Sequence, residues 1–428
     1  MTQTLQIPVS RIFLRLSVMM TLTYIALQLY YCFFICREYG YMGFIPDFSI
    51  LKFFLSQVFF LTLLSASHFL FSRSSFLYAV YLLLLFFFYM PNSILFAYSD
   101  MDYAPYLSNV FFVSCFLLSP LLKFKIPSFE IQEKYKDWSL IGITLLLMVP
   151  IALKFKSAFN LNTLLLRDVY DTRESFSDNM QGYLNYLYNF EAKTFIPLAL
   201  VYFMIRRKTL WIVLLVLMLL YLYVISGNKI VYFTTFIIIF FYYMGESYLT
   251  KMSNLLIMLL AALIAIPLID NLVLHDRILG GTFVNRFLFI PSLITQWYFK
   301  FFSGNPMYFA ESHGFSAFVN SPYDMKVGFL LTKINWNEPE VFANNGIVSD
   351  GFMNLGYVGV GLLSLIFTAL FSLFNSFKLH KGFFGLFFCY IYLFLSVPFL
   401  SCFITGGILI FIVLCFTIFK NGETTTDN

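Results

Sequence analysis

Apolar stretches of about 20 residues recur along this chain, and they constrain its fold more than any other feature. A helix that crosses the hydrocarbon core of a bilayer needs about 20 mainly apolar residues. Apolar residues make up 60% of the 428 residues and charged residues only 11%, which leaves too few charges to cover a soluble protein of this size. The sequence therefore predicts an all-α polytopic membrane protein, with residues 1–428 forming a single integral membrane domain.

Twelve stretches qualify as membrane spans. They cover residues 12–36, 50–71, 75–98, 104–122, 138–153, 191–205, 210–225, 230–245, 254–270, 352–374, 383–400 and 402–419. Basic residues are concentrated in alternate short gaps between these stretches, as in Arg206-Arg207-Lys208. Because cytoplasmic loops carry an excess of Lys and Arg, this alternation predicts that both termini are cytoplasmic.

Two connections are much longer than the others, and both fall on the outer side. They cover residues 154–190 and 271–351, and both keep arginines on the side that membrane proteins usually leave poor in positive charge. Arginine binds phosphate through bidentate, permanently charged contacts, so we expect an external site for an anionic ligand. In the first loop the alternative is local pairing, of Arg167 with Asp171 and of Arg173 with Glu174.

In the second loop, residues 287–301 have the pattern of an amphipathic helix that lies in the membrane interface. The residues expected to face lipid are Phe289 or Ile290, Leu293, Ile294, Trp297 and Phe301. Arg286 would then lie at the level of the lipid headgroups. Lys229, in the turn Ser226-Gly227-Asn228-Lys229, and Arg277 are expected at the same depth, although Lys229 has the alternative of extending to the interface without a ligand. Together with the first-loop arginines, these cations are predicted to converge over one cavity.

Polar residues also gather before the tenth span. His313 lies in the turn sequence Glu311-Ser-His313-Gly, and Asp350 in Asn344-Asn345-Gly346-Ile-Val-Ser-Asp350-Gly351. Either side chain has the chemistry of a general base. The alternatives are a turn histidine without a chemical role, an N-cap aspartate, and glycines at 351, 356, 359 and 361 that serve only helix packing.

Several function classes are disfavoured. The central parts of the predicted spans contain no Asp or Glu, whereas ion-coupled transporters need ionisable groups there. No nucleotide-binding loop and no metal-ligand spacing occur, so neither a cofactor nor a metal is expected. The net charge of +5, spread over many short loops, is too small to indicate nucleic acid.

The combination of about twelve spans, two arginine-bearing loops, a Ser-Gly-x-basic turn and the element Asp350-Gly351-Phe-Met-Asn354-Leu-Gly356-Tyr-Val-Gly359 resembles Wzy-type O-antigen polymerases. The stretch from Asn285-Arg286 through Pro291, with Tyr298, Phe302 and Asn305-Pro306, resembles the second large loop of that family. The resemblance covers most of the chain, and it lies mainly in the arrangement of the spans and the two long loops.

The resemblance implies a metal-independent glycosyltransferase with a GT-C-like fold and two large periplasmic loops, in the bacterial inner membrane. Such an enzyme moves a growing polysaccharide from undecaprenyl pyrophosphate onto a new lipid-linked repeat unit, and a chain-length-regulating co-polymerase is an expected partner. Carried to this sequence, the resemblance implies the following roles. Arg286, Arg277 and Lys229 bind pyrophosphate; Arg167 and Arg173 hold the second substrate; Asn345 and Tyr298 contact substrate; His313 is the favoured base and Asp350 the second choice.

The sequence also allows two alternative functions. One is an O-antigen ligase, which shares the architecture and the donor. The other is a flippase or exporter of lipid-linked oligosaccharide, which is expected to carry charges inside the spans rather than in the outer loops.

Overall fold

The structure is a computed structural model that describes residues 9–127, 131–156, 163, 169–180, 182–312 and 315–419. Within these ranges the regular structure is helical, and the one β-bridge there joins Pro46 to Ser99. The predicted all-α class is confirmed for the described residues. This follows from the sequence, because a chain surrounded by lipid must satisfy its backbone hydrogen bonds within helices.

Nine helices among the described residues are long and apolar enough to cross a membrane. They are Arg11–Glu38, Ile50–Phe71, Ser75–Tyr98, Tyr103–Leu121, Lys134–Lys154, Thr209–Ser226, Tyr248–Leu274, Ile347–Ser376 and Phe399–Phe419. The protein is therefore a multi-pass membrane protein. The predicted spans 230–245 and 383–400 correspond to the shorter apolar helices Phe233–Tyr243 and Lys381–Ser396, and 191–205 lies in a helix over 183–205. The count of twelve stays a prediction.

The chain divides into two compact units. Unit 1 contains the described residues of Met1–Lys123, Ser247–Leu373 and Ile391–Leu400, and unit 2 contains those of Phe124–Glu246, Phe374–Tyr390 and Ser401–Asn428. The helices that begin in unit 1 are Val9–Tyr30, Tyr31–Ile35, Cys36–Glu38, Gly40–Met42, Ile50–Ala66, His68–Phe71, Ser75–Leu84, Leu85–Tyr89, Met90–Tyr98, Tyr103–Cys115, Phe116–Leu121, Tyr248–Ile269, Asp270–Leu274, Gly280–Phe289, Ile290–Phe301, Val327–Trp336, Ile347–Ser376 and Phe399–Phe403. Those that begin in unit 2 are Glu133–Lys154, Val169–Asn179, Tyr183–Phe190, Glu191–Phe195, Ile196–Ile205, Thr209–Ser226, Lys229–Tyr243, Lys381–Phe383, Phe384–Ser396, Ile408–Leu414 and Cys415–Phe419.

The core of unit 1 is built around the helix Ser75–Tyr98, which is surrounded by protein along its whole apolar length. Aromatic rings make up much of this core, as in the stacked pair of Phe96 and Tyr106, whose centroids are 4.0 Å apart. Aromatic pairs of this kind add to the stability that burial of apolar area provides.

The helix predicted over 287–301 is present in part, but the lipid environment predicted for its apolar face is wrong. Residues Ile290–Phe301 are helical, but Phe289, Leu293, Ile294 and Trp297 are buried within the protein rather than exposed to lipid. Phe289 packs on Tyr31 with ring centroids 5.2 Å apart, and Trp297 on Trp336 at 4.8 Å. The apolar stripe that sequence assigned to lipid is therefore a packing face of unit 1.

The predicted tenth span is interrupted. Backbone angles leave the helical range at Leu355 and Gly356, where Gly356 has φ 60° and ψ −146°. The break separates a short helix over 347–354 from a longer one over 357–376, which is the part long enough to span. A Cβ on Gly351 would lie 2.8 Å from the carbonyl carbon of Gly359, so the two segments are in backbone contact. The packing role predicted for the glycines is confirmed for this pair.

In unit 2, the helix over 183–205 contains a π-helical turn at Glu191–Phe195. Glu191 was predicted to begin a span, but the helix starts at Tyr183 and encloses Glu191, which is 0% exposed. Glu191 therefore lies within a helix rather than at its first turn. Periodicity misplaced the helix start because the polar residues before Glu191 interrupt the apolar run.

Candidate functional site

Arg277 lies near the start of the second long loop, in unit 1. Its Nη2 lies 3.2 Å from Oε1 of Glu38, and its guanidinium lies over the ring of Phe34 at 5.6 Å from the centroid. The other terminal nitrogen, Nη1, is buried without a hydrogen-bond partner. Because a guanidinium carries five N–H donors in a rigid plane, Glu38 and Phe34 fix its orientation and leave donor capacity at Nη1.

The turn that carries Arg277 is held by a buried carboxylate. Asp270 is 1% exposed; its Oδ1 accepts a hydrogen bond from the Leu279 N–H at 3.0 Å and its Oδ2 one from the Gly280 N–H at 2.7 Å. The hydroxyl of Tyr39 donates to the carbonyl of Arg277 at 3.1 Å. These bonds connect the end of one apolar helix to the start of the next, so the backbone at Arg277 is fixed.

Arg286 follows nine residues later on a π-helical segment, Gly280–Phe289. Its side chain is exposed, and no side chain that the structure describes forms an ion pair with it. The ring of the next residue, Phe287, lies against Tyr392 with centroids 5.0 Å apart. A π-helix is wider than an α-helix and occurs often at functional sites. Arg286 is therefore a positive charge available to a ligand.

A buried polar cluster surrounds Asp350 in unit 1. The carboxylate is 1% exposed, and its Oδ1 accepts hydrogen bonds from the side-chain amides of Asn345 at 3.1 Å and Asn354 at 3.0 Å. Its Oδ2 accepts one from the backbone N–H of Phe399 at 2.8 Å. Three donors occupy the carboxylate oxygens, so in this geometry Asp350 organises the site. The N-cap alternative is wrong, because the helix begins three residues earlier at Ile347.

The broken helix is closed by a segment of the second loop. The backbone N–H groups of Met307 and Tyr308 donate to the carbonyls of Met353 and Asn354 at 2.9 and 3.1 Å. The N–H of Phe309 donates to Oδ1 of Asn354 at 2.7 Å. The last carbonyls of a helix have no partners within that helix, and here the loop supplies them. Residues 307–309 are therefore fixed next to the Asp350 cluster.

Tyr298 and Glu311 lie beside this cluster. The hydroxyl of Tyr298 donates to the carbonyl of Ala343 at 3.2 Å, and burial raises the pKa of Tyr298, with the charges of Glu311 and Asp350 adding to the effect. Oε1 of Glu311 accepts the N–H of Val327 at 2.7 Å. Burial also raises the pKa of the Glu311 carboxyl, although the Val327 N–H and the charge of Lys326 act in the opposite direction. A partly exposed carboxyl with a raised pKa is suited to proton transfer.

In unit 2, Arg173 lies next to the turn that carries Lys229. Its Nε donates to the carbonyl of Gly227 at 3.0 Å, and the hydroxyl of Tyr188 donates to Oγ of Ser226 at 2.8 Å. The structure thus brings Arg173 to the Ser226-Gly227-Asn228-Lys229 turn. Lys229 begins the helix Lys229–Tyr243.

The predicted site residues fall into three groups. In unit 1 the structure brings Tyr298, Asn345 and Asp350 together, and places Arg277 and Arg286 at either end of the segment 277–286. In unit 2 it brings Arg173 to the Lys229 turn. Arg167 and His313 lie outside the described residues. Convergence of all the cations over one cavity stays a prediction.

Sequence reasoning missed Glu311, Asn354 and Asp270. Glu311 lies two residues before His313 in the same turn sequence. His313 was predicted as the base because the ordinary pKa of histidine is nearer neutrality. Asn354 lies four residues after Asp350, which is one turn along a helix, so that spacing was a usable signal. Nothing in the sequence indicated that Asp270 would cap a turn nine residues away.

Comparison with known proteins does not identify a relative. No protein family, no curated protein and no solved structure matches this chain. The chemistry of the described residues is therefore what bears on function.

Proposed function

We propose that this protein is a membrane glycosyltransferase of the O-antigen polymerase type. It would move a growing polysaccharide from undecaprenyl pyrophosphate onto a new lipid-linked repeat unit at the outer face of the bacterial inner membrane. The observation that carries the proposal is the pair of arginines on the segment 277–286, one held in a fixed orientation by Glu38 and Phe34 and one exposed. Such donors suit a diphosphate, because guanidinium binds phosphate oxygens through charged hydrogen bonds.

The proposed reaction places the negative charge where these arginines lie. A hydroxyl of the acceptor sugar attacks the anomeric carbon of the donor, and the bond from that carbon to the pyrophosphate oxygen breaks. The hydroxyl proton passes to a base, and the lipid pyrophosphate leaves with the bonding electron pair. Charge develops on the leaving oxygen, and preorganised donors that stabilise it lower the barrier. Arg277 is preorganised by its ion pair with Glu38 and by its position over the ring of Phe34.

Two acid–base roles are assigned within the proposal. His313 remains the favoured base, and Glu311 joins it, since its carboxyl is two residues away and its pKa is raised. Asp350 is a positioning residue, because three donors already occupy its carboxylate. It holds Asn345 and the segment 307–309 against the broken helix.

The experiment that tests the function is a lipopolysaccharide gel of the native host with the gene deleted. Collapse of the ladder to core plus a single repeat unit is expected, since export and ligation continue and only polymerisation is lost. Complementation with Arg286→Ala should leave the ladder collapsed at normal protein abundance. Lys300→Ala, which removes another exposed cation of the same loop, is the matched control and should restore the ladder.

The same gel separates the alternatives. If no repeat unit reaches the core, the polymerase proposal is wrong, and the lipid-linked pool identifies the function. Long chains retained on undecaprenyl would indicate a ligase, and single units retained inside would indicate a flippase or exporter. The exporter is the second candidate because of one observation, the fully buried carboxyl of Glu191 inside a helix of unit 2.

A further inference from the structure

Glu191 is a buried acid without a partner. It begins the π-helical turn Glu191–Phe195, within the continuous helix over 183–205. The residue is 0% exposed, and neither Oε1 nor Oε2 has a hydrogen-bond partner. Lys193, two residues further on, forms no ion pair with it among the described contacts. A carboxyl in this condition is unusual, because buried polar groups are nearly always hydrogen-bonded.

No charge in the surroundings balances an ionised Glu191. The turn packs against the helices Glu133–Lys154, Lys229–Tyr243 and Ile408–Leu414. Apart from Lys193, which is half-buried, the described titratable groups on its own helix and on the packed helices are bonded elsewhere or exposed. They are Tyr188, which is bonded to Ser226; Tyr202, which is bonded to Asp137; Asp137, which also pairs with Arg206 and Lys208; Tyr242, which is bonded to Met204; and Lys134, Tyr135, Lys154, Tyr183, Tyr186 and Tyr243, which are exposed. Lys136 is half-buried and has a partner of its own.

Burial without a partner determines the protonation state. Taking an isolated carboxylate out of water costs far more than binding a proton, so Glu191 is a neutral carboxylic acid in this conformation. The proton it holds has no acceptor among the described atoms. Ionisable groups in the interior of membrane proteins frequently belong to proton relays, and π-helical turns occur frequently at functional positions.

A second orphaned group lies three residues later on the same turn. The hydroxyl of Thr194 is buried and has no hydrogen-bond partner. Gly407, with φ +79°, approaches Thr194 so closely that any side chain at 407 would overlap it. Glu191 and Thr194 are therefore two unsatisfied polar groups within one turn of this helix.

We propose that Glu191 is a proton-binding site in unit 2, a carboxylic acid that releases and takes back its proton when the surrounding helices open. The ligand is a proton rather than a sodium ion, because sodium needs several oxygen ligands and no cluster of acidic, histidine or cysteine side chains among the described residues could hold a metal ion. The inference goes beyond the proposed sugar transfer, which assigns no role to Glu191, and does not depend on it.

The test is labelling of the full-length protein in lipid nanodiscs with dicyclohexylcarbodiimide, an apolar reagent that reacts with protonated carboxyls. The acid adds across a C=N bond of the reagent, and the resulting O-acylisourea rearranges to an N-acylurea, so the whole carbodiimide stays attached and no group leaves. Mass spectrometry should find the adduct on the peptide that contains Glu191. Glu191→Gln should remove it, while the exposed Glu174 should react only with a water-soluble carbodiimide.

The dependence of labelling on pH and on sodium decides the proposal. Labelling should fall as pH rises and should be the same in sodium and in choline buffers. Labelling that is constant from acid to alkaline pH would mean a permanently protonated structural acid, and protection by sodium would mean a sodium site; either result overturns the proposal. Absence of the adduct in a protein whose unfolding temperature is normal would also overturn it. If Glu191→Gln fails to fold, the pH series on the unmodified chain still decides.

Discussion

The carboxylate of Asp350 and the backbone N–H of Phe399 are hydrogen-bonded at 2.8 Å although 49 residues separate them in the chain. The same carboxylate accepts the side-chain amides of Asn345 and Asn354. One side chain therefore joins the end of the second loop, the short helix over 347–354 and the segment at 399. A buried acceptor with three donors fixes the relative positions of all three.

Replacement of Asp350 by alanine should destabilise the protein strongly. It leaves three N–H donors buried without an acceptor, and each unsatisfied buried donor costs roughly 1–3 kcal/mol. We expect a loss of about 3 kcal/mol or more, because three buried donors lose their acceptor at once. Thermal unfolding in detergent or nanodiscs measures the change.

The control for this prediction is Asp324→Ala, which removes an exposed carboxylate of the same unit and should change stability by about 0.5 kcal/mol or less. Equal unfolding temperatures for the two variants would show that the Asp350 cluster does not stabilise unit 1. Asp350→Asn is informative as well. The asparagine side chain has the same shape as aspartate, but its NH₂ group takes the place of an oxygen that accepts hydrogen bonds and so faces existing donors.

Arg277→Ala should weaken the binding of a lipid-linked diphosphate. If Arg277 donates charged hydrogen bonds to the ligand, their loss is worth about 1.5–3 kcal/mol, which corresponds to an affinity lower by about 10- to 100-fold. Native mass spectrometry of the nanodisc-embedded protein with undecaprenyl pyrophosphate measures the affinity. Lys300→Ala, tested under the same conditions, should bind almost as tightly as the unmodified chain. A matching loss in both variants would mean that binding follows total positive charge and not the oriented guanidinium.

Glu311→Gln should change how stability depends on pH. The folded protein raises the pKa of Glu311 above its ordinary value through burial. Between those two pKa values the folded state keeps a proton that the unfolded state has released, so stability falls as pH rises through this interval. Glutamine removes that slope and still accepts the Val327 N–H through its side-chain oxygen. The check is the unfolding temperature of both proteins across weakly acidic pH, and parallel curves would contradict the prediction.

The sequence was a good guide to the membrane helices and a poor guide to what lies between them. Runs such as 75–98 are predictable because the bilayer sets a minimum length of apolar chain, and the structure has a helix over the same residues. The face of 287–301 was misjudged for a physical reason. Lipid and a protein core select the same apolar residues, so periodicity cannot tell which of them Leu293 or Trp297 meets.

The site was predictable in part. Asp350 and Asn345 share a short polar stretch, so the local sequence indicated that they lie near each other. Tyr298 was predicted only through the family resemblance. Glu311 and Asp270 act through backbone N–H groups of Val327 and Gly280, and backbone donors leave no trace in a sequence. The interior position of Glu191 depends on a helix start that polar residues conceal.

The contact between Gly351 and Gly359 should tolerate no side chain. A Cβ at Gly351 would lie 2.8 Å from both the carbonyl carbon and the carbonyl oxygen of Gly359, and because these are backbone atoms the two helical segments would have to separate. We expect Gly351→Ala to cost about 1–3 kcal/mol, the usual range for overpacking.

Gly361→Ala provides the matched comparison, because no atom outside its own helix backbone lies within 4 Å of its Cβ position and alanine favours a helix by about 1 kcal/mol over glycine. It should leave stability unchanged or raise it slightly. Thermal unfolding of both variants in the same nanodiscs measures the difference. Should Gly351→Ala be as stable as Gly361→Ala, the two segments are not packed backbone to backbone, and the position of Asp350 beside the break needs another explanation.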